Sequence, residues 1–370
     1  MIDTIRLSLD VASSPKGFRN MKNEDGVVKG IINPTREQKE SGLYYPRVTY
    51  IERPRNGGVQ KQLSVEFSAP KLLYGNNFDE LPDGSFDEVV KALSLRLREM
   101  GIGFFFSEML KKARITKVDF SKNVIFDDGT TVSQILNVLN RAELKKVFDE
   151  SNVEFRNGGK IMRIHTNTRE IAAYDKIADL RQSRISEKRS YSRGNYGQLS
   201  MLDELAQYGQ RAVFRLEVRL NSARTIKDTF KIVGLDEKGI TLEKILSADT
   251  SKAVLGYYWG TIISALPVHQ IDEMTVGNVF ASLASDYDLK PQKMMASLGL
   301  IILSNSSNYD ARYCRNVFEA KYGQGSWRRL TKNVPTYMKT RNATRLARIT
   351  KEIKEMKPTK ISEIAKELLL

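Results

Sequence analysis

Tyr174 and Lys176 stand two residues apart in IAAYDK, and Glu217 stands between Arg215 and Arg219 in FRLEVRLN. Asp119 lies in RITKVDFSKN and Glu66 in SVEFS. A nucleophile, cations and carboxylates are the parts needed to open a phosphodiester covalently. A phenol with a pKa of about 10 is mostly protonated at neutral pH, so attack needs a nearby cation or metal ion. Lys176 supplies that charge if it shares a strand face with Tyr174. A divalent ion, Mg2+ or Mn2+, held by Asp119 and Glu217 with Glu66 as a third ligand, would polarise the phosphoryl oxygen. Arg215 and Arg219 suit bidentate contact with phosphates. Each feature also has an ordinary reading. The tyrosine is one of 15 and could simply pack. The Arg-Glu-Arg alternation could be the solvated face of a strand, and Asp119 could form a surface ion pair with Lys117 or Lys122.

These residues need strands to position them, and the first two-thirds of the chain supplies the pattern. Leu63, Val65 and Phe67 alternate with Gln62, Ser64 and Glu66; Val118 and Phe120 alternate with Lys117, Asp119 and Ser121. Phe214, Leu216, Val218 and Leu220 oppose Arg215, Glu217 and Arg219 in the clearest case. Residues 160–176 read as two strands around a turn at 166–168, with Ala172, Tyr174 and Lys176 facing one way. Helices are expected over 86–100, with a Ser85/Glu88 capping box and Gly101 as terminator, and over 131–150. The fold class is therefore α+β, a largely antiparallel sheet with packed helices. From about residue 236 alternation gives way to helical patterns at 242–249, 252–266, 276–287, 291–303, 310–322 and 343–356. This suggests a division into residues 1–235, carrying the chemistry, and residues 236–370, a mostly helical DNA-binding or accessory domain.

Charge indicates the partner. The chain has 370 residues, with 59 Lys/Arg against 44 Asp/Glu and a net charge of +15, which favours nucleic acid. Residues 181–198, RQSRISEKRSYSRGNYGQ, interleave Arg184, Lys188, Arg189 and Arg193 with Tyr191 and Tyr196, a composition suited to single-stranded DNA. The segment 327–370 carries twelve Lys/Arg against four Glu. A single cysteine, Cys314, excludes an internal disulfide and disfavours a thiolate zinc site, in keeping with a cytoplasmic setting. No apolar run is long enough to span a bilayer comfortably, and the first residues lack the apolar core of a signal peptide.

Five segments occur in a fixed order: MIDTIRLSLD, SVEFSAPKLLYGNN, RITKVDFSKN, IAAYDK and FRLEVRLN. In that order they resemble the filamentous-phage gene II type replication initiators, the II/X family of phage and plasmid replication proteins. The resemblance covers roughly residues 1–235, with a weaker helical likeness to about Arg329. It implies a rolling-circle initiator that nicks the plus strand of the double-stranded replicative form. Such a protein joins itself to the 5′ phosphate and leaves a 3′ hydroxyl for the host polymerase. It later rejoins the displaced single strand into a circle. The family's tyrosine-lysine strand falls on Tyr174 and Lys176, its arginine-glutamate-arginine strand on Arg215, Glu217 and Arg219, and its strand aspartate on Asp119. The His-hydrophobic-His metal motif of many such initiators is absent, since Thr166 and Asn167 follow His165.

Two other readings stay open: a mobilisation relaxase and a non-catalytic origin-binding protein. A host helicase and an oligomer are further expected partners, in the cytoplasm of a bacterial host and without a membrane. Tyr191 and Tyr196 are candidates for a second nucleophile in strand closure. On this reading, removing residues 341–370 should weaken origin binding more than it slows cleavage of a short single strand.

Overall fold

The computed structural model describes residues 1–12, 19–22, 27–55, 58–102, 107–127, 130–140, 142, 144, 152–156, 161–179, 212–266, 280, 283–284, 289–305, 311–332 and 344–360. Among the described residues ten strands form one sheet: β1 (Ile2–Asp10), β2 (Arg19–Lys22), β3 (Val28–Ile32), β4 (Arg47–Arg55), β5 (Gly58–Ser68), β6 (Arg114–Phe126), β7 (Asn152–Arg156), β8 (Ile161–His165), β9 (Arg169–Asp175) and β10 (Ala212–Leu220). Their order is β2-β3-β4-β5-β1-β6-β10-β9-β8-β7, and every neighbouring pair is antiparallel. The α+β class expected from alternation is the class observed. β6 lies near the middle of the sheet, and residues 118–124 of it are buried on both faces. It pairs with β1 on one side and β10 on the other.

The apolar face holds Ile5, Leu7, Val65, Phe67, Val118, Phe120, Phe214, Leu216 and Val218, all buried. Helices Ala69–Tyr74, Phe86–Glu99, Ala223–Ile232 and Ala248–Ser264 cover it, and Trp259 meets Phe214 edge-on at 6.1 Å. Gly101, at φ 77°, terminates Phe86–Glu99 as expected, and the Ile102 N–H closes on the Leu97 carbonyl at 2.9 Å. The start of that helix departs from expectation. Ser85 forms no cap, because its hydroxyl donates to the Pro82 carbonyl instead. A capping box does occur at Thr131/Gln134, but the helix it opens, Val132–Leu139, ends well before residue 150; residues 145–150 lie outside the described ones. The helix expected over 276–287 also lies largely outside them.

Helices dominate beyond residue 235, yet the apolar core crosses that point. Leu242, Ile245, Val254, Leu255, Trp259 and, from helix Thr344–Glu355 and the residue after it, Leu346, Ile349, Ile353 and Met356 belong to the same buried cluster as the sheet. A second cluster gathers Leu283, Leu298, Leu300, Ile301 and Trp327, with Phe318 edge-on to Trp327 at 5.6 Å.

One cation breaks the apolar face. Lys122 sits on β6 among apolar neighbours, fully buried, and donates to Glu80 Oε2 (2.8 Å), the Lys357 carbonyl (2.7 Å) and Thr359 Oγ1 (2.8 Å). Glu80 in turn accepts from the backbone of Asn123 (2.5 Å) and Thr359 (2.9 Å). Residues 357–359, just after helix Thr344–Glu355, thus form a strap bound into the sheet. That attachment argues against removing residues 341–370 at no cost to the sheet, as the expected split between origin binding and cleavage would require. Among the described residues, no helix is long and apolar enough to cross a membrane.

Candidate nicking site

The register of the three central strands sets the site. Opposite Arg215 lie Asn123 on β6 and Tyr174 on β9; opposite Glu217 lie Ser121 and Ala172; opposite Arg219 lie Asp119 and Glu170. Directly opposed residues share a face, so these nine side chains form a polar patch away from the helices. The patch is not the solvated surface that alternation alone suggests, since Asp119, Tyr174, Arg215 and Glu217 are all buried.

Glu217 is the hub. Its Oε1 accepts from the Tyr174 hydroxyl at 2.6 Å and from Arg215 Nε at 2.6 Å, while its Oε2 accepts from Arg219. Although burial opposes its charge, Arg215, Arg219 and Lys176 hold its carboxyl well below the usual carboxylate range. Burial and the Glu217 charge push the Tyr174 hydroxyl well above its ordinary value, so the resting side chain is a neutral phenol. Lys176 lies just past the end of β9, in a helical turn, rather than continuing the strand as expected. Its Nζ lies 6.0 Å from the centre of the Tyr174 ring and 3.7 Å from Asp179. Burial lowers its pKa to about 8, with Arg215 acting in the same direction.

The two arginines of β10 differ. Arg215 is 2% exposed and saturated: Nε on Glu217, Nη1 on the Asn77 carbonyl (3.1 Å) and Asn123 (3.2 Å), and Nη2 on Asp3 (2.7 Å). It orients Glu217, and the expected direct phosphate contact does not suit it. Arg219 is 29% exposed, bonded to Glu217 and, at 3.2 Å, to Glu170. Arg219 is the one of the pair able to turn toward DNA.

A family model described as the N-terminal part of a replication-associated protein of the phage gene II type matches residues 1–234. The chain belongs to that family. It is a replication-associated initiator of the phage gene II type. No curated protein and no solved structure matches it.

In this initiator the carboxylates expected to hold a metal are spoken for. Both oxygens of Glu217 accept from arginine. Glu66 is paired with Arg6 and with Lys117 at 3.3 Å. Asp119 Oδ2 meets Lys117 at 3.3 Å, while its buried Oδ1 has no hydrogen-bond partner. Lys122, the other cation expected near Asp119, faces the opposite side of β6. Among the described residues no three His, Cys, Asp or Glu side chains gather as a metal site. A divalent ion needs several free oxygens. This donor set, ringed by Arg6, Lys117, Arg215 and Arg219, offers one. The residues do not fit the ion as arranged.

Burial raises the Asp119 pKa to about 7 from 3.8. The folded state therefore holds a proton that the unfolded chain releases. The stability this gives is fully present below pH 3.8 and lost as pH rises through about 7. Between the acid end of that window and pH above about 7, wild type should lose stability on the order of a few kcal/mol and melt at a lower temperature, and Asp119→Asn should remove this part of the pH dependence. Equal pH dependence of melting in the two proteins would contradict this.

Arg184, Lys188, Arg189 and Arg193, with Tyr191 and Tyr196, lie outside the described residues. Sequence reasoning missed Asp3, Asn123, Glu170 and the Asn77 carbonyl. Glu170 was within reach, because alternation along β9 puts it on the Tyr174 face. Asp3 was not, since an irregularity in the β1–β6 pairing between Ile2 and Thr4 interrupts the alternation there.

Proposed function

We propose that this initiator opens one strand of replicative-form DNA by transesterification through Tyr174, and later rejoins the displaced single strand. The observation that carries this reading is the 2.6 Å hydrogen bond from the Tyr174 hydroxyl to Glu217, a carboxylate set between two arginines on the buried polar face. The Tyr174 oxygen forms a bond to the scissile phosphorus, and the bond from phosphorus to the 3′ oxygen breaks. The tyrosine proton passes to Glu217 Oε1 and then to the departing 3′ oxygen, leaving a 5′ phosphotyrosyl link and a free 3′ hydroxyl. One phosphodiester replaces another, so the same groups run the step backwards to seal a strand.

Glu217 is a poor base while both guanidiniums bind it. When Arg219 turns to a DNA phosphate, Glu217 loses one cation and its proton affinity rises, while Arg215, held by Asp3 and Asn123, keeps the carboxylate aimed. Binding of substrate thereby prepares the base. Lys176 supplies positive charge beside the ring as the phenolate forms. The host polymerase would extend the 3′ hydroxyl, with a host helicase separating the strands in the bacterial cytoplasm.

The test is to incubate the full chain with supercoiled DNA of the replicon that encodes it, digest both, and analyse the peptides. The expected result is a nucleotide-bearing tryptic peptide EIAAYDK, residues 170–176. A nick without adduct, or an adduct on another residue, overturns the assignment of Tyr174. Binding with no nick leaves an origin-binding protein.

A further inference from the structure

Arg163 stands on the same face as Tyr174 and has no part in the reaction above. On β8 it lies directly opposite Ala172, which lies in turn opposite Glu217 on β10. Tyr174 and Glu170 flank Ala172 along β9, so Arg163 is diagonal to both, at a spacing long side chains bridge. Ala172, itself buried, is surrounded on this face by four large polar residues: Arg163, Glu170, Tyr174 and Glu217. Arg163 Nε is buried with no hydrogen-bond partner and lies 3.6 Å from Glu170 Oε1, beyond bonding distance. Arg219 Nη1 reaches that same oxygen at 3.2 Å. Two guanidiniums from different strands thus converge on a single carboxylate oxygen beside the tyrosine. Both side chains keep outward access, 35% for Arg163 and 29% for Arg219.

We propose that Arg163 and Arg219 form the subsite for a DNA phosphate next to Tyr174, and that Glu170 occupies it as an internal stand-in until DNA arrives. This rests on Tyr174 being the point of cutting. The chemistry favours a phosphate over another carboxylate. The chain's net charge of +15 favours a polyanion. The two non-bridging oxygens of a phosphodiester could each accept from one guanidinium, whereas both guanidiniums now converge on the single oxygen Glu170 Oε1 and Arg163 Nε is left unsatisfied. An unmade bond at a buried donor costs free energy that a better-placed anion returns on binding. The departure of Arg219 from Glu217, which prepares the base, is then the same movement that seats the phosphate.

The experiment measures binding of the full chain to a short oligothymidylate over a range of salt. Wild type is compared with Arg163→Gln, Arg163→Lys and Glu170→Gln, and thermal melting of each protein reports its folding. Arg163→Gln is expected to weaken binding about tenfold at low salt. It should also flatten the slope of log K against log salt by about 0.7, one phosphate on a single strand. Arg163→Lys should retain most of the slope, and Glu170→Gln should bind more tightly than wild type. A merely structural Arg163–Glu170 pair would instead lower the melting temperature in both Gln variants and weaken binding in both. That result overturns the subsite, as does an unchanged affinity in Glu170→Gln. If these slopes behave as expected while wild type forms no adduct, the subsite stands and the nicking assignment alone falls.

Discussion

Tyr174→Phe is expected to give a folded protein that binds DNA and forms no covalent adduct with it. The substitution removes the oxygen proposed to bond to phosphorus, so nicking should fall to background. Loss of a nucleophile elsewhere costs on the order of a millionfold. Folding should survive, because Phe keeps the ring and removes one hydrogen bond from Glu217. That carboxylate retains Arg215 on Oε1 and Arg219 on Oε2, so the stability cost is about 1–2 kcal/mol. The assays are conversion of supercoiled to open circular DNA and a mobility-shifted protein band in denaturing gels. Persistent nicking by the variant would move the nucleophile elsewhere, with Tyr191 and Tyr196 the first residues to examine. A variant that fails to fold would show instead that the hydroxyl is structural.

The same residues show how far the sequence alone could lead. Alternation placed Arg215, Glu217 and Arg219 on one face and Phe214, Leu216 and Val218 on the other, because a strand's side-chain period is two whatever its neighbours. It could not say which of the two arginines was free. That depends on Asp3, Asn77 and Asn123, brought to Arg215 from 212, 138 and 92 residues away. Carboxylates in a strongly basic chain were read as metal ligands because residue type reveals charge and not partners. Once the strands pair, most of their oxygens are taken by arginine and lysine, and Glu217 accepts a hydrogen bond from Tyr174. Lys176 was read one step too far along a strand that ends at Asp175. Helices such as Phe86–Glu99 and Ala311–Tyr322 were legible from their spacing, while Ala69–Tyr74 and Ala223–Ile232 were not foreseen, and the place of the last helix was not legible either. Its apolar stripe says that it packs, and nothing in it says that it packs against the β-sheet.

Deleting residues 344–370 is expected to unfold the protein rather than merely weaken its grip on DNA. Leu346, Ile349, Ile353 and Met356 are buried in the cluster that supports the sheet. Four such side chains contribute about 6–12 kcal/mol by their burial, comparable with the entire stability of an ordinary domain. The deletion also strips Lys122 of two of its three hydrogen bonds, those to the Lys357 carbonyl and Thr359 Oγ1, and removes the Thr359 amide from Glu80. A buried ammonium left under-satisfied adds further cost. Because Asn123 bonds both Glu80 through its backbone and Arg215 through its side chain, the damage runs straight to Glu217 and Tyr174. Duplex binding and single-strand cleavage should therefore be lost together. Thr359→Val is the graded form of this test. It removes the hydroxyl that accepts from Lys122 and donates to the Asn123 carbonyl, and keeps the amide bond to Glu80. A stability loss of about 1–3 kcal/mol is expected, read by chemical denaturation. A deletion that melted like wild type, or that lost origin binding while cleaving a single strand normally, would make the strap dispensable to the sheet.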